Sequence, residues 1–255
     1  MTKKKKIFLN IVIITIGLIG LWLVTSHIAH FEFPEYFYNA NPDIKTYVGT
    51  NVVSAWADFS FFTYQTLIIF SIWCILFGIA NIFSLQKLND FLRRDTVISF
   101  VFVNYFFTVL LYTIFELSSG NITFGLYANT PLGFHNLATN LIIHYVYFAI
   151  CLTVFIKLKT STSSTKRAGI LVFTYLLFYY TIVKILGEFA YNIRWFPYII
   201  FDAKTFGNTF GITNYLASIV VLIITCVVIF SAYILSYFGA IKLKRKQQSA
   251  NMTQN

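Results

Sequence analysis

The chain has 255 residues, of which 58% are hydrophobic and only 11% charged, and its mean hydropathy is +0.71. That much apolar surface exceeds what one soluble core can cover, which excludes a water-soluble globular domain and makes the bilayer the solvent. The net charge of +10 is dispersed along the chain rather than gathered in one module, which excludes nucleic acid as a partner and points to orientation in the membrane and attraction to anionic lipid.

Six windows reach the roughly 20 apolar residues that a spanning helix needs. The first, Ile7–His27, follows a basic start, Lys3–Lys6, in the manner of a signal peptide. Its apolar run is long and no clear small-residue cleavage site follows, so it reads as an anchor. The next segment, Ile28–Asp58, mixes Phe and Tyr with Pro34, Pro42 and Gly49 and reads as an ordered outer cap. The second window, Phe59–Ser84, carries Thr63 and Thr66 and is followed by Lys87, Arg93 and Arg94. The third, Val97–Phe115, carries Tyr112 near its outer end and, closer to the membrane centre, the i, i+4 pair Asn104 and Thr108, a spacing suited to interhelical hydrogen bonding. The loop Glu116–Leu137 contains Gly120, Gly125, Pro131 and Gly133 but no Lys or Arg, and is a candidate for a second part of the cap.

The fourth window, Ala138–Leu158, holds Asn140 and His144. A basic, Ser/Thr-rich connector, Lys157–Arg167, leads to the fifth, Gly169–Gly187, where Lys184 and then Glu188 make a second i, i+4 pair. The sixth window is Tyr215–Ile241. The organisation is therefore a transmembrane domain over residues 1–241 and a disordered basic tail over 242–255. No internal repeat of the kind that builds inverted transporter halves is visible.

Fifteen of the nineteen basic residues fall on one side of this arrangement and three (Lys45, Arg194, Lys204) on the other, with Lys184 inside a helix. The positive-inside rule then puts both termini in the cytoplasm. Seven of the nine acidic residues fall on or near the outer side, and Trp56, Trp195 and Tyr198 sit where an outer aromatic belt belongs. Cys74, Cys151 and Cys226 all lie inside spans and read as small packing residues. No Cys/His metal spacing, phosphate loop or nucleophile elbow is present, and no cofactor is required.

Polar groups at membrane depth are costly and mark candidate sites. The second and fourth helices run in the same direction, so Thr63, roughly 6 Å below a start near Phe59, and His144, roughly 9 Å below one near Ala138, occupy the same outer-leaflet layer. A His in that position is suited to act as base toward a hydroxyl. Asn140, Tyr112 and an inward-pointing Lys184 would wall the cavity, with Glu188 beside it. Each has a plainer role: Thr63 bonding the carbonyl one turn back, His144 packing against a neighbouring helix, and Lys184 snorkelling as an anchor. His27, His30 and His135 read as solvated outer-loop residues.

The chain resembles the androgen-induced membrane-protein family of six-helix threonine hydrolases and its uncharacterised bacterial relatives. The resemblance lies in Phe61-Phe62-Thr63-Tyr64 opening the second helix, His144 early in the fourth, Trp195-Phe196-Pro197-Tyr198 after the fifth, and cytoplasmic ends. It implies Thr63 as nucleophile, His144 as catalytic base and fatty-acyl esters as substrates. The chain departs from the family in offering Thr66 as a second hydroxyl, in lacking the family's threonines and proline in the segment after His144, and in its longer, more aromatic outer loops. The combined expectation is an all-α, polytopic, six-helix plasma-membrane protein, of bacterial type by its Ile, Phe, Lys and Asn bias, that hydrolyses lipid esters. A small-solute or lipid carrier and a structural subunit are the rival classes.

Overall fold

The computed structural model describes residues 2–29, 62–113, 138–158 and 165–189, with scattered positions between 211 and 234. Among them every element is a helix: α1 Lys3–Ala29, α2 Phe62–Ile82, the short α3 Gln86–Leu92, α4 Asp95–Leu111, α5 Tyr147–Lys157 and α6 Thr165–Phe189. A π-helical turn, Ile142–Val146, leads into α5. Three helical stretches are long and apolar enough to cross a bilayer: Lys3–Ser26, Phe62–Ile82 and Ala138–Lys157. They match the first, second and fourth windows. The third and fifth windows form helices whose apolar stretches, Thr96–Leu110 and Ile170–Val183, are shorter. Most of the sixth window, both outer loops, the Trp195–Tyr198 element, Cys226, His30, His135 and the tail lie outside the described residues, as does the side chain of His27.

The chain divides into two compact units. One comprises Met1–Leu23, Thr66–Val172 and Ala232–Asn255; the other comprises Val24–Gln65 and Phe173–Ser231.

In the first unit α2 presents Leu67, Phe70, Cys74 and Phe77 at helical spacing, α4 presents Ile98, Val101, Phe102 and Tyr105, and α5 presents Tyr147, Cys151 and Phe155, all buried. Flat rings fill the space between them: Phe102 stacks on Phe155 at 4.1 Å between centroids, and Phe70 meets Tyr105 edge-on at 5.7 Å. The N-terminal part of α1 lies against α2 along a seam of small residues. A side chain at Gly17 would meet the Ser71 carbonyl oxygen at 2.6 Å, and one at Gly78 would meet the Asn10 carbonyl oxygen at 2.9 Å. Such backbone approach is how membrane helices associate where water supplies no hydrophobic drive. The Tyr147 hydroxyl adds a bond to the Ile16 carbonyl (2.9 Å). The opposite faces carry Ile11, Leu18, Trp22, Ile72 and Leu76, which are exposed, as a lipid-facing surface requires.

α2 ends where Ser84 adopts φ 54°, and the Leu85 amide then reaches back to the Ala80 carbonyl (2.9 Å). That is a Schellman closure in which a serine occupies the left-handed position usually given to glycine. α3 follows at once, and its end is pinned into the bundle by buried Leu92, whose carbonyl accepts the Trp73 indole N–H (3.1 Å).

The second unit is held by aromatic contact between the start of α2 and α6. Phe62 sits 5.6 Å from Tyr175 and 5.1 Å from Tyr179, and the Tyr175 hydroxyl donates to Gln65 Oε1 (2.7 Å).

Candidate functional site

His144 lies in the π-helical turn, where the Tyr147 amide bonds the Ile142 carbonyl five residues back instead of four. Such widened turns hold one extra residue and recur at functional positions. Here the widening is supported from α4, since the Tyr105 hydroxyl donates to the Ile143 carbonyl at 2.6 Å in the buried interior. A backbone acceptor in the irregular turn is thus bonded by a side chain from another helix.

The imidazole is 3% exposed. Its Nδ1 is 2.8 Å from the Asn140 carbonyl oxygen, and because a carbonyl can only accept, Nδ1 carries the proton. In the neutral ring the basic lone pair then belongs to Nε2. The ring lies nearly parallel to Tyr112, with centroids 3.6 Å apart and planes 13° apart, so its tilt is fixed as well as its tautomer. Tyr145 completes the surroundings: its ring meets Tyr112 edge-on at 6.1 Å, and its hydroxyl is 3.1 Å from that of Thr113.

Of the residues singled out from the sequence, the structure brings His144, Asn140 and Tyr112 together. Asn140 contributes its backbone carbonyl to the His, and Tyr112 is a stacking partner for the ring rather than a distant wall. Thr63 is half-buried and belongs to the second unit. Lys184 and Glu188 are on α6 in the same unit, with side chains outside the described residues.

Thr66 takes a different course from Thr63. It is buried in the first unit, with its hydroxyl 3.1 Å from that of Thr108, which also bonds the Asn104 carbonyl (3.0 Å). The expected interhelical bond of the α4 pair is therefore made by Thr108 alone. Asn104 is fully buried, and neither atom of its side-chain amide has a hydrogen-bond partner. An unpaired amide in an apolar interior costs about 1–3 kcal/mol, which sets Asn104 apart from packing residues. Asn104, Thr108 and Tyr112 recur every fourth residue and form one polar stripe on α4 leading to the His144 ring.

Sequence reasoning missed Tyr105 and Tyr145. Tyr105 stands seven residues before Tyr112, two turns away on one face, and that spacing was the available signal. Cys74 and Cys151 are buried free thiols, as expected of packing residues. No group of three or more His, Cys, Asp or Glu suited to a metal ion occurs among the described residues.

The arrangement supplies an oriented imidazole in an apolar bundle, the requirement for proton transfer to or from a hydroxyl at membrane depth. Comparison with protein-family models, with curated proteins and with solved structures returned no match, so the functional reading rests on this geometry and on the resemblance in the sequence.

Proposed function

We propose that the chain is an intramembrane hydrolase of fatty-acyl esters, with His144 as general base and Thr63 as nucleophile, in a six-helix bundle of the plasma membrane of a bacterium with both termini in the cytoplasm. The observation that supports the proposal is the buried imidazole with its Nδ1 bonded to the Asn140 carbonyl, which makes Nε2 the ring nitrogen able to accept a proton, as a general base must. Thr63 enters through the sequence resemblance. In the reaction Nε2 takes the hydroxyl proton as the oxygen attacks the acyl carbonyl, then returns it to the departing alcohol, leaving an acyl-threonine. Water attacks that ester with the same base, releasing the fatty acid and restoring the hydroxyl.

The test is labelling of purified protein by a fluorophosphonate probe, together with fatty-acid release from a panel of ester lipids. Wild type and Thr63→Ser should label; Thr63→Val and His144→Gln should not, with folding checked by size-exclusion profile. A folded wild-type protein that neither labels nor releases fatty acid overturns the proposal. A carrier is the second reading, favoured by the bare Asn104 amide, which would serve cargo better than catalysis. It requires Asn104→Leu to abolish uptake into proteoliposomes without loss of fold.

A further inference from the structure

In the first unit, where α2 passes into α3, three side chains converge on one cation, Arg93. The Arg93 Nε donates to Asn89 Oδ1 at 2.8 Å and its Nη2 to Asn81 Oδ1 at 3.4 Å, while its guanidinium carbon sits 5.1 Å from the centroid of the Phe77 ring. Asn89 Nδ2 also donates to Asn81 Oδ1 (3.3 Å), and Asn81 Nδ2 is anchored on the Phe77 carbonyl (2.7 Å). The amides are thus turned so that their oxygens face the guanidinium. The backbone beneath is equally fixed, because Leu92 is buried and bonded to Trp73.

Every partner of Arg93 here is neutral, and no carboxylate pairs with it among the described residues. Amide oxygens and a ring face orient the cation and leave its full charge in place. A guanidinium has five N–H donors, of which these amides take two. The remaining edge is a fork of the kind that matches a phosphate. Around it the surface is that of a segment lying in a membrane interface: Phe83 is 69% and Phe91 48% exposed, Leu85 is exposed beside them, and Lys87 and Arg94 extend the positive charge, Arg94 over the Phe91 ring at 5.7 Å. Apolar side chains exposed among basic ones on α3 and its flanks, where Asp90 is the acidic residue of the helix, fit the boundary of acyl chains and anionic headgroups.

We propose that Arg93, set by Asn81, Asn89 and Phe77, is a binding site for the phosphate of an anionic phospholipid, with Phe83, Leu85 and Phe91 entering its acyl region. The site is independent of the His144 chemistry. It lies on the surface that the distribution of basic residues assigns to the cytoplasm, where anionic lipid is encountered.

The experiment reconstitutes the full chain in nanodiscs of phosphatidylcholine containing a minor fraction of phosphatidylglycerol and counts the lipids retained after gentle detergent extraction by native mass spectrometry. Wild type should retain phosphatidylglycerol over phosphatidylcholine by about fivefold. Two variants remove the site in different ways. Arg93→Gln deletes the charge, and Asn89→Asp supplies an internal carboxylate that neutralises Arg93 while keeping the guanidinium packed, so it remains informative if Arg93→Gln fails to fold. Both should lose the preference, whereas Lys157→Gln, an exposed basic residue outside this cluster, should keep it. Retention of the preference in folded Asn89→Asp overturns the proposal. So does stabilisation of wild type by inorganic phosphate without any preference for phosphatidylglycerol, which would assign the fork to a free anion.

Discussion

Gly17→Ala tests the packing of α1 on α2 with a single methyl group. The added carbon would stand 2.6 Å from the Ser71 carbonyl oxygen and 2.7 Å from Cγ1 of Ile75, where ordinary contacts begin at 3.4 Å. Relief requires the two backbones to part by about 0.8 Å, a gap that forfeits a quarter to a half of each dispersion contact along the seam. Overpacking of this kind costs about 1–3 kcal/mol, and the better helix propensity of Ala returns at most about 1 kcal/mol. The net loss should be about 1–2 kcal/mol, read as a Tm lowered by about 2–8 °C in a detergent melt followed with a thiol-reactive dye that reports exposure of buried Cys74 and Cys151. The obstruction at Gly17 is backbone, so trimming Ser71 to Ala cannot relieve it. At Gly20 the nearest obstruction is the Ser71 hydroxyl itself, so Gly20→Ala should be destabilising alone and largely rescued by Ser71→Ala. A Gly17→Ala protein as stable as wild type, or a Gly20→Ala defect indifferent to Ser71→Ala, would refute the close approach.

Tyr105→Phe removes the hydroxyl that supports the Ile143 carbonyl and should lower stability by about 1 kcal/mol, with increased hydrogen exchange confined to residues 142–147. A double-mutant cycle of Thr66→Val and Thr108→Val should give a coupling of about 0.6 kcal/mol; additivity would show that the two hydroxyls do not share a bond. Ser84→Gly relieves a side chain held at φ 54° and should raise stability by about 1 kcal/mol in the same melt, whereas loss of stability would show that the serine side chain has a role at that turn.

Hydropathy located α1, α2 and the helix of His144 because twenty apolar residues in a row have few alternatives, and the rarity of His at that depth marked His144 as a site residue. Tyr112 was legible from depth alone. The choice between Thr63 and Thr66 was not, because residues three apart are only about 60° apart around a helix and hydropathy does not resolve that angle. Thr66 turns out to be the hydroxyl that meets Thr108, a fact fixed by the rotation of α2 against α4. The role of Asn140 was illegible for another reason: it acts through its carbonyl, which every residue possesses. The Arg93 cluster was visible only as loop charge, since the amides that hold it come from positions 81 and 89 on two helices joined by a left-handed turn.

The widened turn at Ile142–Val146 also sets a phase. An α-helix advances about 100° per residue, so a segment carrying one residue more than a regular turn brings the next stretch into the bundle at a shifted angle. Ile143 and His144 are buried side by side in the turn, and Tyr147, Cys151 and Phe155 are buried along α5. Removing one residue anywhere in the turn would restore a regular pitch and swing the imidazole by about that angle relative to α5, with every side chain of the site still encoded. The position of the ring is therefore governed by the length of this segment as much as by its composition, and a chain of similar sequence but one residue shorter here would carry the histidine without the arrangement around it.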